Sequence, residues 1–327
     1  MKGIFDDVRY GLRGLTKNRG FALAAVFSLA LGIGANTTIF TLLNAIFLRP
    51  LPVRDPANLV ALFTTDPRIP GPLLCSYPNY QDYRDHNTVF SSLLLYSAFT
   101  VNLTGRGDPQ LLMGQLVTAN YFTSLGVNPV LGRGFREEED LPGASPVVVI
   151  SDGLWKRLFD SSPDVTRRTL EISGHPYNII GVAPAAFRGL SQLYGADVFL
   201  PFSVFSRVYP NPGSLEQRRA LLFAAVGRLK PGVGIHQAES AMQSLAQDLE
   251  RQYPRENQGR RVNLTTVAEA ALNARTRPVV SQAGAVLMTI AALVLLIACA
   301  NVANLLDRKS TRLNSSHSRA SRMPSSA

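Results

Sequence analysis

Four consecutive carboxylates, Glu137-Glu138-Glu139-Asp140, are the densest group of potential metal or acid–base ligands in the chain. They follow Gly132-Arg133-Gly134-Phe135 and precede Leu141-Pro142-Gly143, a context that predicts a solvated loop. A calcium loop spreads its acidic ligands over alternating positions, whereas carboxylates in direct succession mostly point apart. His86, His175 and His236 are scattered, with no metal-ligand spacing. Cys75 and Cys299 form no CxxC pair, and Cys299 lies inside an apolar run, so neither zinc nor an intrachain disulfide is signalled. GxxxxGK[ST], GxSxG and HExxH are all absent. The chain therefore has no recognisable nucleotide loop, nucleophile elbow or zinc-protease helix. It reads as a non-catalytic protein with no cofactor of its own.

The residues that do carry a message are small or amidic and sit in apolar surroundings. Ala24, Ser28 and Gly32 recur every four residues, with Asn36 next in the same row. Lipid offers no hydrophobic drive for helix association, so small residues at that spacing let a second helix approach closely. Asn301 and Asn304 stand three apart on one helix face and are expected to bond between helices or mark an interface. These six are the candidate helix-packing residues. The tyrosines at 77, 80 and 83 and the phenylalanines at 199, 202 and 205 are expected to pack, not to bind ligand.

Two elements must hold the helix-packing residues. Of the 327 residues only 17% are charged, below the usual quarter. The 29 residues between Arg19 and Arg49 include no Asp, Glu, Lys or Arg, and neither do the 26 from Ser281 to Leu306. Both runs exceed the roughly 20 residues that cross a bilayer as a helix. Residues 21–48 are also longer than a signal-peptide core, and Leu48-Arg49-Pro50-Leu51-Pro52 is no small-residue cleavage site, so a retained anchor is expected.

The net charge of +10 is concentrated at the ends: +3 in the first 20 residues and +4 in the last 21. A basic face within a folded domain, the footprint of nucleic-acid binding, is not indicated. Five basic residues precede the first apolar run while only Arg49 and Arg54 closely follow it. The positive-inside rule then places the N-terminus in the cytoplasm and residues 49 to about 280 outside. Residues 1–20, with Ile4, Phe5, Val8, Leu12 and Leu15 between cations, predict an amphipathic interfacial helix.

The outer region, residues 49–280, reads as α/β. Leu59 to Thr65 and Val147 to Ile150 predict buried strands, and Ser76 caps a short helix with Pro78 in its first turn. Leu170 to Ile172 and Tyr177 to Val182 predict a hairpin turned by Ser173-Gly174-His175-Pro176. Ile235, Ala238, Met242, Leu245 and Leu249 step by three and four, giving a helix over 235–252 with one buried stripe.

Leu31-Gly32-Ile33-Gly34-Ala35-Asn36-Thr37-Thr38-Ile39-Phe40 followed by Leu48-Arg49-Pro50-Leu51-Pro52 resembles the first membrane helix of MacB/FtsX-type ABC transporter permeases. It looks like the large permeases, abundant in acidobacteria, that carry a duplicated copy of the module. The resemblance continues through Tyr121-Phe122 with Leu125-Gly126-Val127, Pro129, Leu131-Gly132-Arg133, Val147 to Ser151 with Leu154-Trp155, and Gly181-Val182-Ala183-Pro184 with Phe187. Arg228-Leu229-Lys230-Pro231-Gly232-Val233 and Ala298-Cys299-Ala300-Asn301-Val302-Ala303-Asn304-Leu305 complete it, so it spans about residues 1 to 306. It implies a MacB-like periplasmic core domain between two transmembrane helices, in the bacterial inner membrane. It also implies a permease dimer, or a second permease half, working with a partner ATPase that holds the ATP and magnesium. A periplasmic adaptor would suit an exporter. The alternative function is an FtsX-like regulator that binds and activates a cell-wall hydrolase.

Residues 307–327 shift abruptly to Ser and Arg with no apolar periodicity, which predicts a disordered tail. Asp307 to His317 and Ser321 to Ala327 can both be written, in one frame, as codons of a short-read sequencing adapter. The expectation is that this tail is adapter-derived and that relatives continue instead into a basic segment and further helices.

Overall fold

The computed structural model describes residues 51–105, 108–190, 195–209 and 211–270 continuously, and scattered positions between 23 and 41 and between 282 and 299. By its internal contacts the chain divides into two units, Met1–Leu48 with Pro278–Ala327, and Arg49–Arg277. Residues 1–20 and the tail 307–327 lie outside the described residues. In the first unit the described positions of both apolar runs are helical. Among the described residues no helix is long and apolar enough to cross a membrane.

The second unit is organised by one long strand. β3 (Phe90–Thr104) follows β1 (Leu59–Asp66) and β2 (Ile69–Leu73) in the chain. After it come β4 (Gln110–Val117), β5 (Leu131–Gly132), β6 (Val147–Ile150), β7 (Thr169–Ile172) and β8 (His175–Val182). β9 (Val198–Pro201), β10 (Ala224–Leu229) and β11 (Arg261–Thr266) complete the sheet. The first half of β3 pairs with β10, and β10 with β1 and β1 with β11, all antiparallel. This is the open lobe. The second half of β3 pairs with β4 and, through Leu103 and Thr104, with β7. From β4 the path runs β9, β6, β8 and back to β7, closing a six-strand ring. This is the barrel lobe.

Helix α1 (Tyr77–His86) starts where Ser76 Oγ accepts the Asn79 N–H at 3.4 Å, with Pro78 in the first turn, where its missing N–H is harmless. α2 (Tyr121–Leu125) ends on Gly126 in the left-handed region. α3 (Asp152–Phe159) is capped by Ser151, whose Oγ accepts from Leu154 N at 3.1 Å. α4 (Ile235–Gln252) has the bounds its periodicity predicts, with Ala238, Met242, Ala246 and Leu249 fully covered and Ile235 and Leu245 at the margin of the stripe.

α1 and α4 cover one face of the open lobe, where Val60, Leu62, Leu93, Leu95, Val262 and Leu264 join their apolar side chains. On the other face Leu59, Leu94 and Val226 meet Tyr121, Phe122 and Leu125 around α2. Covering on both faces explains why β1 reads as an almost unbroken apolar run. Inside the barrel, Val101, Leu103, Leu112, Leu116, Val148, Ile150, Leu170, Ile172, Ile179, Val198 and Leu200 fill the space between strands.

The β7–β8 turn is shorter than the sequence suggests. His175 and Pro176 already pair with Ile172 and Glu171, so only Ser173 and Gly174 turn the chain. Their φ values, 49° and 79°, are the pair of positive angles a two-residue type I′ hairpin requires.

Candidate functional site

The helix-packing residues divide by position. Ala24, Ser28, Asn36, Asn301 and Asn304 lie outside the described residues. Gly32 is buried, and a Cβ on it would stand 3.4 Å from Leu295 Cδ1 and 3.7 Å from Leu295 Cα, in the second apolar run of the same chain. By contrast Leu23, Val26, Phe27 and Ile33 in the first run, and Val286, Ile290, Leu293 and Leu296 in the second, are exposed.

The acidic run is less solvated than its sequence suggests. It forms a 3-10 turn, Glu137–Asp140, and only its first half faces water. Glu139 takes a forked pair of bonds from Arg133 at 2.6 and 2.9 Å and accepts the Arg136 N–H at 2.8 Å. Asp140 turns inward and accepts the N–H groups of Phe202 at 2.8 Å and Ala119 at 3.1 Å. Burial pushes its carboxyl above the usual range, and those backbone donors only partly offset the shift. Two backbone-bonded or arginine-bonded carboxylates are thus staples of the barrel lobe, which successive sequence positions could not reveal. Among the described residues no group of three His, Cys, Asp or Glu is placed to hold a metal ion.

A half-open cleft of about 450 Å³ lies between α1 and this turn. Tyr77, Tyr80, Gln81, Arg84 and Asp85 form one wall, and Thr118, Asn120, Glu137, Asp140 and Leu141 belong to the other. Arg84 is spent within the cleft, bonded to Asp85 at 2.7 and 3.1 Å and lying 5.7 Å from the Tyr80 ring centroid. The two aromatic groups meet beneath it: Tyr77 stacks on Phe202 at 5.4 Å, and Phe202 and Phe205 both contact Phe223 edge-on. Phe199 instead faces Phe122 and Phe187, because alternation along β9 turns it to the opposite side from Leu200. These rings pack against one another, and Tyr77 and Tyr80 also line the cleft.

The other distinctive feature is where the chain enters and leaves. β1 and β11 are antiparallel neighbours, with Val60 opposite Thr266. Both connections of the domain therefore emerge at the same end of the open lobe. Two of the segments noted above, around Arg228 and from Tyr121 to Val127, meet the chain just before β1 beside them. Arg228, on β10, donates from Nη2 to the Arg54 carbonyl at 2.7 Å, from Nε to the Ser124 carbonyl at 2.9 Å and from Nη1 to the Asp55 carbonyl at 3.3 Å. Arg54 N–H in turn donates to the Leu125 carbonyl at 2.8 Å. Desolvation, with Arg54 nearby, pushes the Arg228 guanidinium below its ordinary value. An arginine held by carbonyls leaves no complementary charge in the sequence, so only its motif could have pointed to it.

Residues 22–245 match the family model described as the MacB-like periplasmic core domain. Several solved structures are similar. A domain of a putative permease protein from Porphyromonas gingivalis is 16% identical with a TM-score of 0.51, over 65% of this chain and 92% of that one. The periplasmic region of MacB from Actinobacillus actinomycetemcomitans is 13% identical with a TM-score of 0.48, over 71% and 95%. The extracellular domain of the noncanonic ABC-type transporter YknZ from Gram-positive bacteria is 13% identical with a TM-score of 0.46, over 63% and 100%. No curated protein matches.

Proposed function

Since the chain belongs to the MacB-like periplasmic core domain family of MacB/FtsX-type ABC transporter permeases, we propose that it is a permease subunit that couples a partner ATPase to an extracytoplasmic domain. The carrying observation is the pairing of β1 with β11, which brings both connections of the domain out side by side. A domain so built can be inserted between two adjacent membrane helices and moved by them as one body. Exposed apolar side chains on both apolar runs, together with Gly32 against Leu295, support a pair of lipid-facing helices packed on each other. The domain lies on the periplasmic side of the inner membrane in this reading, and the permease works as a dimer or with a second permease half.

Export with a periplasmic adaptor is the leading version, and activation of a cell-wall hydrolase is the alternative. The two differ in what the outer domain touches. Coexpression with a candidate partner ABC ATPase tests the common part. The expected result is copurification of the two, with magnesium-dependent ATP hydrolysis that the permease chain alone does not perform. ATP turnover by the purified chain itself, surviving removal of contaminating ATPases, contradicts the reading. Gly32→Leu is expected to weaken copurification by forcing Leu295 away.

A further inference from the structure

We propose that residues 51–58 form a releasable strap, held to the outer domain by a latch in which the Arg228 guanidinium binds the carbonyls of Arg54, Asp55 and Ser124. Besides the Arg54 N–H bond to the Leu125 carbonyl at 2.8 Å, the strap has little else to hold it. Pro52 and residues 54–58 are exposed, the turn Pro56–Asn58 buries nothing, and only Leu51 and Val53 reach partway into the apolar cluster around α2. Segments with few buried contacts open locally at much lower free energy than the whole fold. Arg228, by contrast, is fixed on β10 between β1 and β3. Its three bonds tie together the strap, the open lobe and the end of α2.

The latch has two sides. On the far side the strap lies against Gly126, whose φ of 68° and missing side chain both matter: a Cβ there would stand 2.5 Å from Arg54 Cβ. Among the described residues Arg228 bonds carbonyls and no carboxylate, so the latch depends on charge-assisted bonds to neutral groups. Closed, it makes the incoming chain move with the domain. Open, it frees eight residues, enough to span roughly 26 Å when extended. This consequence for coupling rests on the permease reading, while the latch itself does not.

Amide hydrogen exchange on the full chain in lipid nanodiscs tests the proposal. In Arg228→Ala the amides of residues 51–58 are expected to exchange on the order of tenfold faster, while α4 and β6 stay within about twofold of the parent. Arg228→Lys, with one ammonium for three carbonyls, gives an intermediate rise. Gly126→Ala pushes the strap from the opposite side and raises exchange over 51–58 and the end of α2 only. Unchanged exchange over 51–58 in Arg228→Ala, or a uniform rise through α4 and β6 in Arg228→Ala and Gly126→Ala alike, overturns the latch. That failure would leave the permease reading standing, just as loss of ATPase copurification would leave the latch standing.

Discussion

The open lobe and the barrel lobe share β3 but solve the problem of sheet edges in different ways. In the barrel, β7 pairs with both β3 and β8, so the ring closes around a mainly apolar interior that also holds the Tyr177 ring opposite Leu170. The open lobe ends on β11, whose outer backbone groups would invite another strand. Helix α4 covers them with side chains: Gln243 donates to the Val262 carbonyl at 2.6 Å, and Glu239 accepts the Leu264 N–H at 3.1 Å. The open lobe also carries charge inside. Asp66, only 2% exposed at its side chain, is bonded by Arg68 at 2.7 and 2.8 Å and lies 3.5 Å from the buried Arg260. Closure removes the exposed strand edges of a lobe, while an open edge must be covered by named side chains.

Truncating the barrel core should have the largest effect. Leu200→Ala removes a fully buried side chain from the ring and is expected to destabilise by about 3 kcal/mol, measured by denaturant unfolding. A loss comparable to a surface substitution would mean that the barrel is not the tighter lobe. Asp66→Asn comes next, at about 2 kcal/mol, because it strands Arg260 while half-exposed Arg68 can turn to water. Glu239→Ala should cost about 1 kcal/mol by leaving the Leu264 N–H unpaired, and should raise self-association by baring the β11 edge. Light scattering that stays monodisperse at high concentration would show that the edge is protected by something else.

The smallest effect is the most diagnostic, because its sign differs between lobes. The Arg68 hydrogen bonds hold the Asp66 carboxyl well below the usual carboxylate range, despite its burial. Its stabilisation is therefore present above the unfolded value, near pH 4, and is lost as the pH falls through the folded value. Asp140 is shifted the other way by burial, so the folded state binds its proton more tightly than the unfolded chain does. Its contribution falls as the pH rises from about 4 through its raised value. Relative to the parent, Asp66→Asn should fare worse as the pH rises toward 4 and Asp140→Asn should fare better as it rises beyond 4. Parallel difference curves for the two variants would contradict the contrast.

What could be read from the sequence follows the range of the interaction. α4, the Ser76 cap and the strands at 59 and 147 depend on neighbours within a few residues, and periodicity or capping chemistry shows them directly. Barrel closure joins Leu103 to Ile172, and the buried charge joins Asp66 to Arg260; nothing local announces either. Ser173-Gly174 was legible as a turn but not as a two-residue one, since register decides which residues pair. At the candidate site, Arg228 belongs to one quoted motif, yet its partners are the carbonyls of Arg54, Asp55 and Ser124, which leave no side-chain signature. The apolar runs and their small residues were legible by composition, and of the six named residues only Gly32 has a described neighbour.

The account's central claim is that one outer domain is carried between two membrane helices, and the side on which that domain lies tests it most directly. Native Cys75 is an unsuitable reporter, being fully buried with its thiol pushed up to about 12. A cysteine at exposed Glu138, in a Cys299→Ser background, avoids both problems. In cells with an intact cytoplasmic membrane, Glu138→Cys should react with a membrane-impermeant maleimide as fully as it does after lysis. Reaction only after the cytoplasmic membrane is opened would place the domain inside the cell and contradict the account.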